Sequence, residues 1–143
     1  MTPRPMPSHS ERAIIGCVML NPHIMETIAL RPDHFADDRH IHTWKVMLGR
    51  HSMGLPLDML SIVEGVEDPE LIAKVGGLCY LSSHGDVACI EPNLEYQVRQ
   101  MKERTRRINL IRELEHCAAA LIGGDNTSLD VATRIANSAS GVL

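Results

Sequence analysis

Apolar positions along the chain recur at threes and fours, the period of helices packed on one side. Ile14, Ile15, Val18 and Met19 form the apolar side of a first helix opened by Ser10-Glu-Arg-Ala. Asn21-Pro22 resets the chain, with Asn21 as cap and Pro22 in the first helical position. The short helix that follows carries Ile24, Met25, Ile28 and Leu30 and stops before Pro32. Asp37 or Asp38 caps a third helix through Trp44, Met47 and Leu48 to about Gly54. Asp58 caps a fourth, with Leu60, Ile62 and Val63 inward. Asp68-Pro69-Glu70 starts a fifth, ended by Gly76-Gly77, and Leu78-Cys-Tyr-Leu adds a turn or two before a loop over Ser82–Gly85. The core expected from this pattern holds Ile14, Val18, Phe35, Trp44, Leu60, Ile62, Val75, Tyr80 and Leu81.

The last third reads differently. Between Pro92 and Gly123 there is no glycine or proline, which predicts roughly 30 residues of helix, on the order of 45 Å long. Leu94, Val98, Met101, Ile108, Ile111, Leu114, Ala118 and Leu121 make a near 3.5-residue seam that Thr105 interrupts. Gly123-Gly124-Asp125 then turns the chain, and Thr127 or Ser128 caps a last helix through Leu129, Val131, Ile135 and Ala136. Two helices joined by so short a turn lie antiparallel. The expected class is all-α: a six-helix globule over residues 10–90, preceded by a mobile arm over 1–9 and followed by an antiparallel helical hairpin over 91–143. So long a helix outreaches a domain of this size, which points to a seam shared with another chain.

Composition narrows the class further. Only 3% of residues are aromatic, and eight methionines take over part of their packing role, which disfavours an all-β sandwich or barrel. No apolar run approaches the length of a membrane span and the start Met1-Thr-Pro-Arg-Pro-Met-Pro has no apolar signal core, so the expected location is the cytoplasm. The net charge of −4 hides an asymmetry: residues 1–98 carry −6 and residues 99–143 carry +2, with six basic residues between Arg99 and Arg112. Such a stripe reads first as a solvated face or a protein contact, because it is weaker than that of a dedicated DNA-binding domain. Cys17, Cys79, Cys89 and Cys117 form no CxxC pair and read as reduced, buried, small apolar residues. His34, His40 and His42 suggest a metal, but His40-x-His42 points to different sides of a helix and nothing completes a tetrahedral set.

Catalytic patterns are missing as well. The sequence has no GxxxxGK[ST] phosphate loop, no GxGxxG, no GxSxG and no HExxH. Gly76-Gly77 is better read as a helix end than a phosphate cradle, and Asp37-Asp38 as a cap than a metal site. Aromatics interleaved with basic residues, which single-strand binders use for stacking, are also absent. No catalytic residue, metal ligand or cofactor site is assigned.

The order of features nevertheless resembles one family. Ile15-Gly-Cys-Val-Met-Leu-Asn-Pro is similar to the "LGxxLLDN" segment of the N-terminal domain of DnaB-type replicative helicases. Arg31-Pro-Asp-His-Phe with His40 and Trp44 looks like that family's "xxDFY…H…IF". Gly54-Leu-Pro-Leu-Asp-Met-Leu-Ser-Ile matches "GxPIDLxTL", and Val75-Gly-Gly-Leu-Cys-Tyr-Leu matches "VGGxAYL" about twenty residues on, the most specific pairing. Asn93-Leu-Glu-Tyr, Lys102-Glu-Arg and Leu110-Ile111 resemble the helix "NIxxYAxIVREKxxxRxLI". The likeness runs over about residues 12–136 in the right order. The family's opening "PHSxEAE" survives only as Pro5-Met-Pro-Ser-His-Ser-Glu11, Ala36 replaces an aromatic, and Tyr96 to Glu103 is one residue longer than usual. Such divergence suits a phage or mobile-element version.

The resemblance implies a non-catalytic collar module. In the family a six-helix globule precedes a hairpin, hairpins pair head to head, and three such dimers form a hexameric ring that docks the helicase-binding domain of primase and takes part in loading. A linker then leads to an ATPase domain, which would hold ATP and Mg; this chain stops where that linker would start. The residues expected at the oligomer or partner interface are Met101, Ile108, Leu114 and Leu121 for packing and Arg104, Arg107 and Arg112 for contacts. The expected partners are a second copy, primase and a helicase loader, with no strong direct DNA binding and no membrane. The alternative is a complete small collar mimic that regulates, loads or inhibits a host helicase or primase. A stand-alone enzyme and a direct nucleic-acid binder are weaker readings; the latter would show a steep salt dependence.

Overall fold

The structure is a computed structural model describing residues 8–88, 91–124 and 128–139. Every regular element among them is helical: α1 (Ser8–Leu20), α2 (Ile24–Ile28), α3 (Asp38–Ser52), α4 (Met59–Gly65), α5 (Pro69–Lys74), α6 (Leu78–Ser82), α7 (Glu91–Gly123) and α8 (Ser128–Ala139). Two 3-10 turns, Pro32–His34 and Ser83–Val87, complete the order. No described helix is long and apolar enough to cross a membrane. The all-helical expectation of six helices and a hairpin holds.

The polar punctuation explains where the helices begin. The side chain of Asp37 accepts from the backbone N–H of Arg39, Asp58 from Ser61, and Asp68 from Glu70, so three aspartates satisfy donors that α3, α4 and α5 would otherwise leave open. Pro69 then occupies the first turn of α5, where no amide donor is needed. The start of α2 differs from expectation. It begins at Ile24, after a turn through Pro22 and His23, and Asn21 accepts from the Ile24 amide through its backbone carbonyl at 3.0 Å instead of capping through its side chain. Ala29 adopts a left-handed conformation (φ 48°) that ends α2 before Leu30. Leu30 lies outside the helix but remains buried, and its carbonyl accepts the indole N–H of Trp44 at 2.9 Å.

The chain divides into two compact units inside α7, the first ending at Lys102 and the second beginning at Glu103. The globular unit is built around α1, buried at every residue from Ala13 to Met19. A helix enclosed on all sides has no polar face to offer, and this stretch is correspondingly apolar. Gly16 is the point of closest approach: a Cβ there would run into the backbone carbonyl of His84 in the second 3-10 turn. Trp44 and Phe35 pack at 5.1 Å between centroids, with Met47, Leu57, Ile62, Val75 and Leu81 around them. Leu94, Val98 and Met101 belong to this same core, so the first turns of α7 pack as part of the globule.

Three side-chain placements differ from the sequence reading. Leu60, expected inward, is 63% exposed, because Ile62 and Val66 take the inner face of α4 and a residue two positions away stands about 200° around the helix. Tyr80 is only half-buried, its ring flanked by arginines. Cys17 and Cys117 are buried as expected but Cys79 is exposed, since Leu81 takes the inward position of α6. Cys89, Thr127 and the arm over residues 1–7 lie outside the described residues, while α1 already includes Ser8.

Candidate functional site

The hairpin unit places α7 and α8 antiparallel. Glu113 on α7 and Arg134 on α8 are equidistant along the chain from the Gly123–Gly124 turn, and they form an ion pair at 2.9 Å. Gly124 supplies the turn's left-handed backbone (φ +72°). Glu113 also accepts from the Cys117 thiol at 3.6 Å. Burial first, and that carboxylate second, hold the thiol above its ordinary range. Cys117 and Val131 are buried, so small residues let the two helices approach.

The flank of α7 beside this contact has no such cover among the described residues. Leu114 (41%), Leu121 (47%) and Ile122 (89%) are exposed, and exposed Ala118 continues the same stripe. Leu114, Ala118 and Leu121 follow a four–three spacing and share one face. A row of large apolar side chains on an amphipathic helix is the usual mark of a surface that another chain covers.

The proposed interface residues do not all fall on that surface. Leu114 and Leu121 do. Ile108 is half-buried, and Arg107 and Arg112 are exposed. Arg107 meets Glu103 at 3.2 Å one turn back, and Arg106 meets the same carboxylate at 3.6 Å. Arg104 is half-buried and its Nε has no hydrogen-bond partner among the described residues; the neighbouring Thr105, which interrupts the seam, is buried with its hydroxyl likewise unpartnered among them. Met101 is a correction: it is completely enclosed in the globular core, so it packs the globule and presents nothing to another chain. Ile122, the most exposed of the large apolar residues, went unassigned although its position beside the glycine turn marks it as lying at the hairpin end.

The globular unit contains a buried polar cluster that the sequence hinted at only through its histidines. Glu11 of α1 is wholly enclosed and accepts three hydrogen bonds: from the amides of Ala36 (2.7 Å) and Asp37 (3.2 Å) and from Nδ1–H of His40 (2.8 Å). Nε2 of the same ring pairs with the Tyr80 hydroxyl at 2.7 Å. Both His40 nitrogens are therefore occupied, which accounts for this histidine without a metal. His34 is likewise engaged, its Nδ1 accepting from the Arg31 amide at 2.9 Å. Arg12 and Arg39 sit over the Tyr80 ring at 5.1 and 4.1 Å. Arg12 donates to the hydroxyl of Ser83 at 2.6 Å, and the Asp37 carboxylate accepts from Arg39 at 2.7 Å, a hydrogen bond that holds Asp37 far below the usual carboxylate range. His84 closes the cluster edge-on to both rings. Neither of its nitrogens has a partner among the described residues, and burial, aided by neighbouring positive charge, pushes its pKa down to about 3. The cluster is a structural lock joining α1, α3 and α6, not a reaction centre: Glu11, His40 and His84 are all wholly enclosed.

Comparison with known proteins bears on what the hairpin and globule belong to. The family model for the DnaB-like helicase N terminal domain matches residues 4–103. The chain belongs to this family. It is 26% identical over 110 residues to replicative DNA helicase DnaC of Bacillus subtilis (strain 168), and 28% over 110 residues to replicative DNA helicase DnaB of Geobacillus stearothermophilus. Each match covers 76% of this chain and 24% of the relative, so the chain spans about a quarter of their length. Among solved structures, the N-terminal domain of DnaB helicase from Mycobacterium tuberculosis has the same fold, with a TM-score of 0.79 at 18% identity, covering 95% of this chain and 98% of that one. A DnaB-like replicative helicase described together with its interactions with primase superposes with a TM-score of 0.74 at 18% identity, over 90% of this chain and 31% of that one. The DnaB-type fold expected from the sequence motifs is thus the fold observed.

Proposed function

We propose that this chain acts as the collar module of a replicative DNA helicase, in which hairpins pair into dimers, dimers assemble into a hexameric ring, and the ring docks primase or a loader during DNA replication. The observation that carries the reading is the exposed apolar row Leu114, Ala118, Leu121 and Ile122, which flanks the side of α7 already closed by Glu113–Arg134, Cys117 and Val131. Family membership supports the setting, because the matching relatives are replicative helicases and one structural neighbour is described with primase. The module contributes assembly rather than chemistry; ATP and Mg belong to the motor portion of such helicases.

Sedimentation velocity tests the assembly step. The chain is expected to sediment as a dimer or larger, and Leu121→Asp to sediment as a monomer with unchanged helicity, because a carboxylate in an apolar seam loses its hydration without gaining a partner. A monomeric parent chain at all concentrations up to the millimolar range overturns the reading.

A further inference from the structure

The outer face of α4 is apolar and acidic at once. Ile62 and Val66 point into the core, so Leu60 and Glu64, one turn apart, share the opposite side. Leu60 is 63% exposed, Met53 68%, Leu55 42% and Met59 39%, all within the end of α3, its connection to α4, and the first turn of α4. From Gly54 to Ala73 the sequence contains Asp58, Glu64, Glu67, Asp68 and Glu70 and no lysine, arginine or histidine. Asp58 and Asp68 are used as helix caps and Glu70 pairs with Lys74 at 3.5 Å. Glu64 and Glu67 are exposed and have no ion pair among the described residues.

This surface is held in place rather than left to collapse. Arg50 of α3 donates from Nε to the carbonyl of Pro56 at 2.9 Å, and its guanidinium lies against Gly65 where a Cβ would strike it. Leu57 is buried to 1% exposure and pins the middle of the connection. Met53, Leu55, Met59 and Leu60 therefore stay outward on a braced support, which lowers the ordering cost of covering them.

The same chain carries a surface of matching chemistry. Six basic residues and one acid, Glu103, lie between Arg99 and Arg112, and Ile108 and Ile111 stand half-exposed among the arginines. We propose that the α4 face of one copy docks the Arg106–Arg112 stretch of a second copy, with Glu64 and Glu67 facing Arg107 and Arg112, and Leu60 and Met59 covering the isoleucines. The contact joins two different surfaces, so it links pairs into a ring or an open chain, while the Leu114–Ile122 row nearer the turn remains for hairpin pairing. It rests on the reading of the chain as a self-assembling collar and specifies the second surface that such assembly needs.

Charge exchange followed by sedimentation velocity tests this. The parent chain is expected to form species larger than a dimer, weakened by salt. Glu64→Arg/Glu67→Arg and Arg107→Glu/Arg112→Glu should each lower the association constant of the step beyond the dimer about ten-fold or more, and combining all four should restore it. Circular dichroism confirms that each variant is helical. Unchanged association in either double variant, or no recovery in the combination, overturns the head-to-hairpin contact. Leu121→Asp separates the two readings: if it alone abolishes assembly while the charge variants change nothing, hairpin pairing stands and the α4 contact falls. A parent chain that never exceeds a monomer removes both.

Discussion

Glu11 and His40, 29 residues apart and both wholly enclosed, share a 2.8 Å hydrogen bond, and the same carboxylate accepts the two backbone amides that precede α3. One side chain on α1 thus fixes the entry of α3 and, through His40, the hydroxyl of Tyr80 on α6. Removing it strands two buried amides and an imidazole. Glu11→Ala is expected to cost about 3–5 kcal/mol of stability, and Glu11→Gln less, because one amide oxygen still accepts. Urea denaturation of the two variants reads the difference; equal losses would mean that the one acceptor oxygen kept by glutamine contributes nothing.

Acid should loosen the globule through His84. Its folded pKa lies near 3 against an ordinary 6.5, so between those values the unfolded chain binds a proton that the folded one refuses. Stability is therefore level above pH 6.5 and falls as the pH drops toward 3, by at most about 1.4 kcal/mol per pH unit. Asp37 adds to the loss only below its ordinary pKa of 3.8, since its folded carboxylate is held low by Arg39. The thermal midpoint, followed from about pH 7.5 to 4.5, should decline throughout the lower part of that range. NMR titration of the His84 ring gives the independent check, and a midpoint near 6.5 would contradict it.

Gly16 is required by contact, not by backbone conformation. A methyl group there meets the His84 carbonyl, a backbone atom that cannot swing aside. Gly16→Ala should destabilise the globule by about 1–3 kcal/mol despite the better helix propensity of alanine. Chemical denaturation compares it with Gly49→Ala, where a Cβ meets nothing.

The phase of α4 is open to the same kind of measurement. Ile62→Ala should cost about 2–5 kcal/mol as a cavity in the core, and Leu60→Ser should stay within about 0.5 kcal/mol because the side chain lies in solvent. The reverse ranking would restore the inward placement of Leu60.

The helices were legible in the sequence wherever a local signal set them. Asp37, Asp58 and Asp68 cap because a short carboxylate reaches the amides of its own next turn, and the Gly76-Gly77 stop follows from two left-handed residues (φ 94° and 91°). Pro22 misled because a proline near a helix start fits both the first helical position and the turn before it. Leu60 turns outward because a short amphipathic stretch allows more than one face to turn inward, and Met101 turns into the globule because the first turns of α7 belong to that core, a choice made in both cases by distant partners. The Glu11–His40–Tyr80 cluster was illegible for the same reason: its members are 29 and 40 residues apart, and nothing in local spacing brings them together. Leu114, Ala118 and Leu121 share one face of α7, as their four–three spacing on a long helix predicts.

The chain has a single tryptophan, and it sits at the centre of the globule with no exposed surface, 5.1 Å from Phe35. Its emission is therefore a private signal of one unit, blind to melting of the hairpin, while far-ultraviolet ellipticity sums over both. Denaturation curves from the two signals would superimpose if the chain came apart all at once and diverge if the hairpin let go by itself. The placement of Trp44 makes the number of cooperative pieces in this protein readable by eye from two overlaid traces, with no label added.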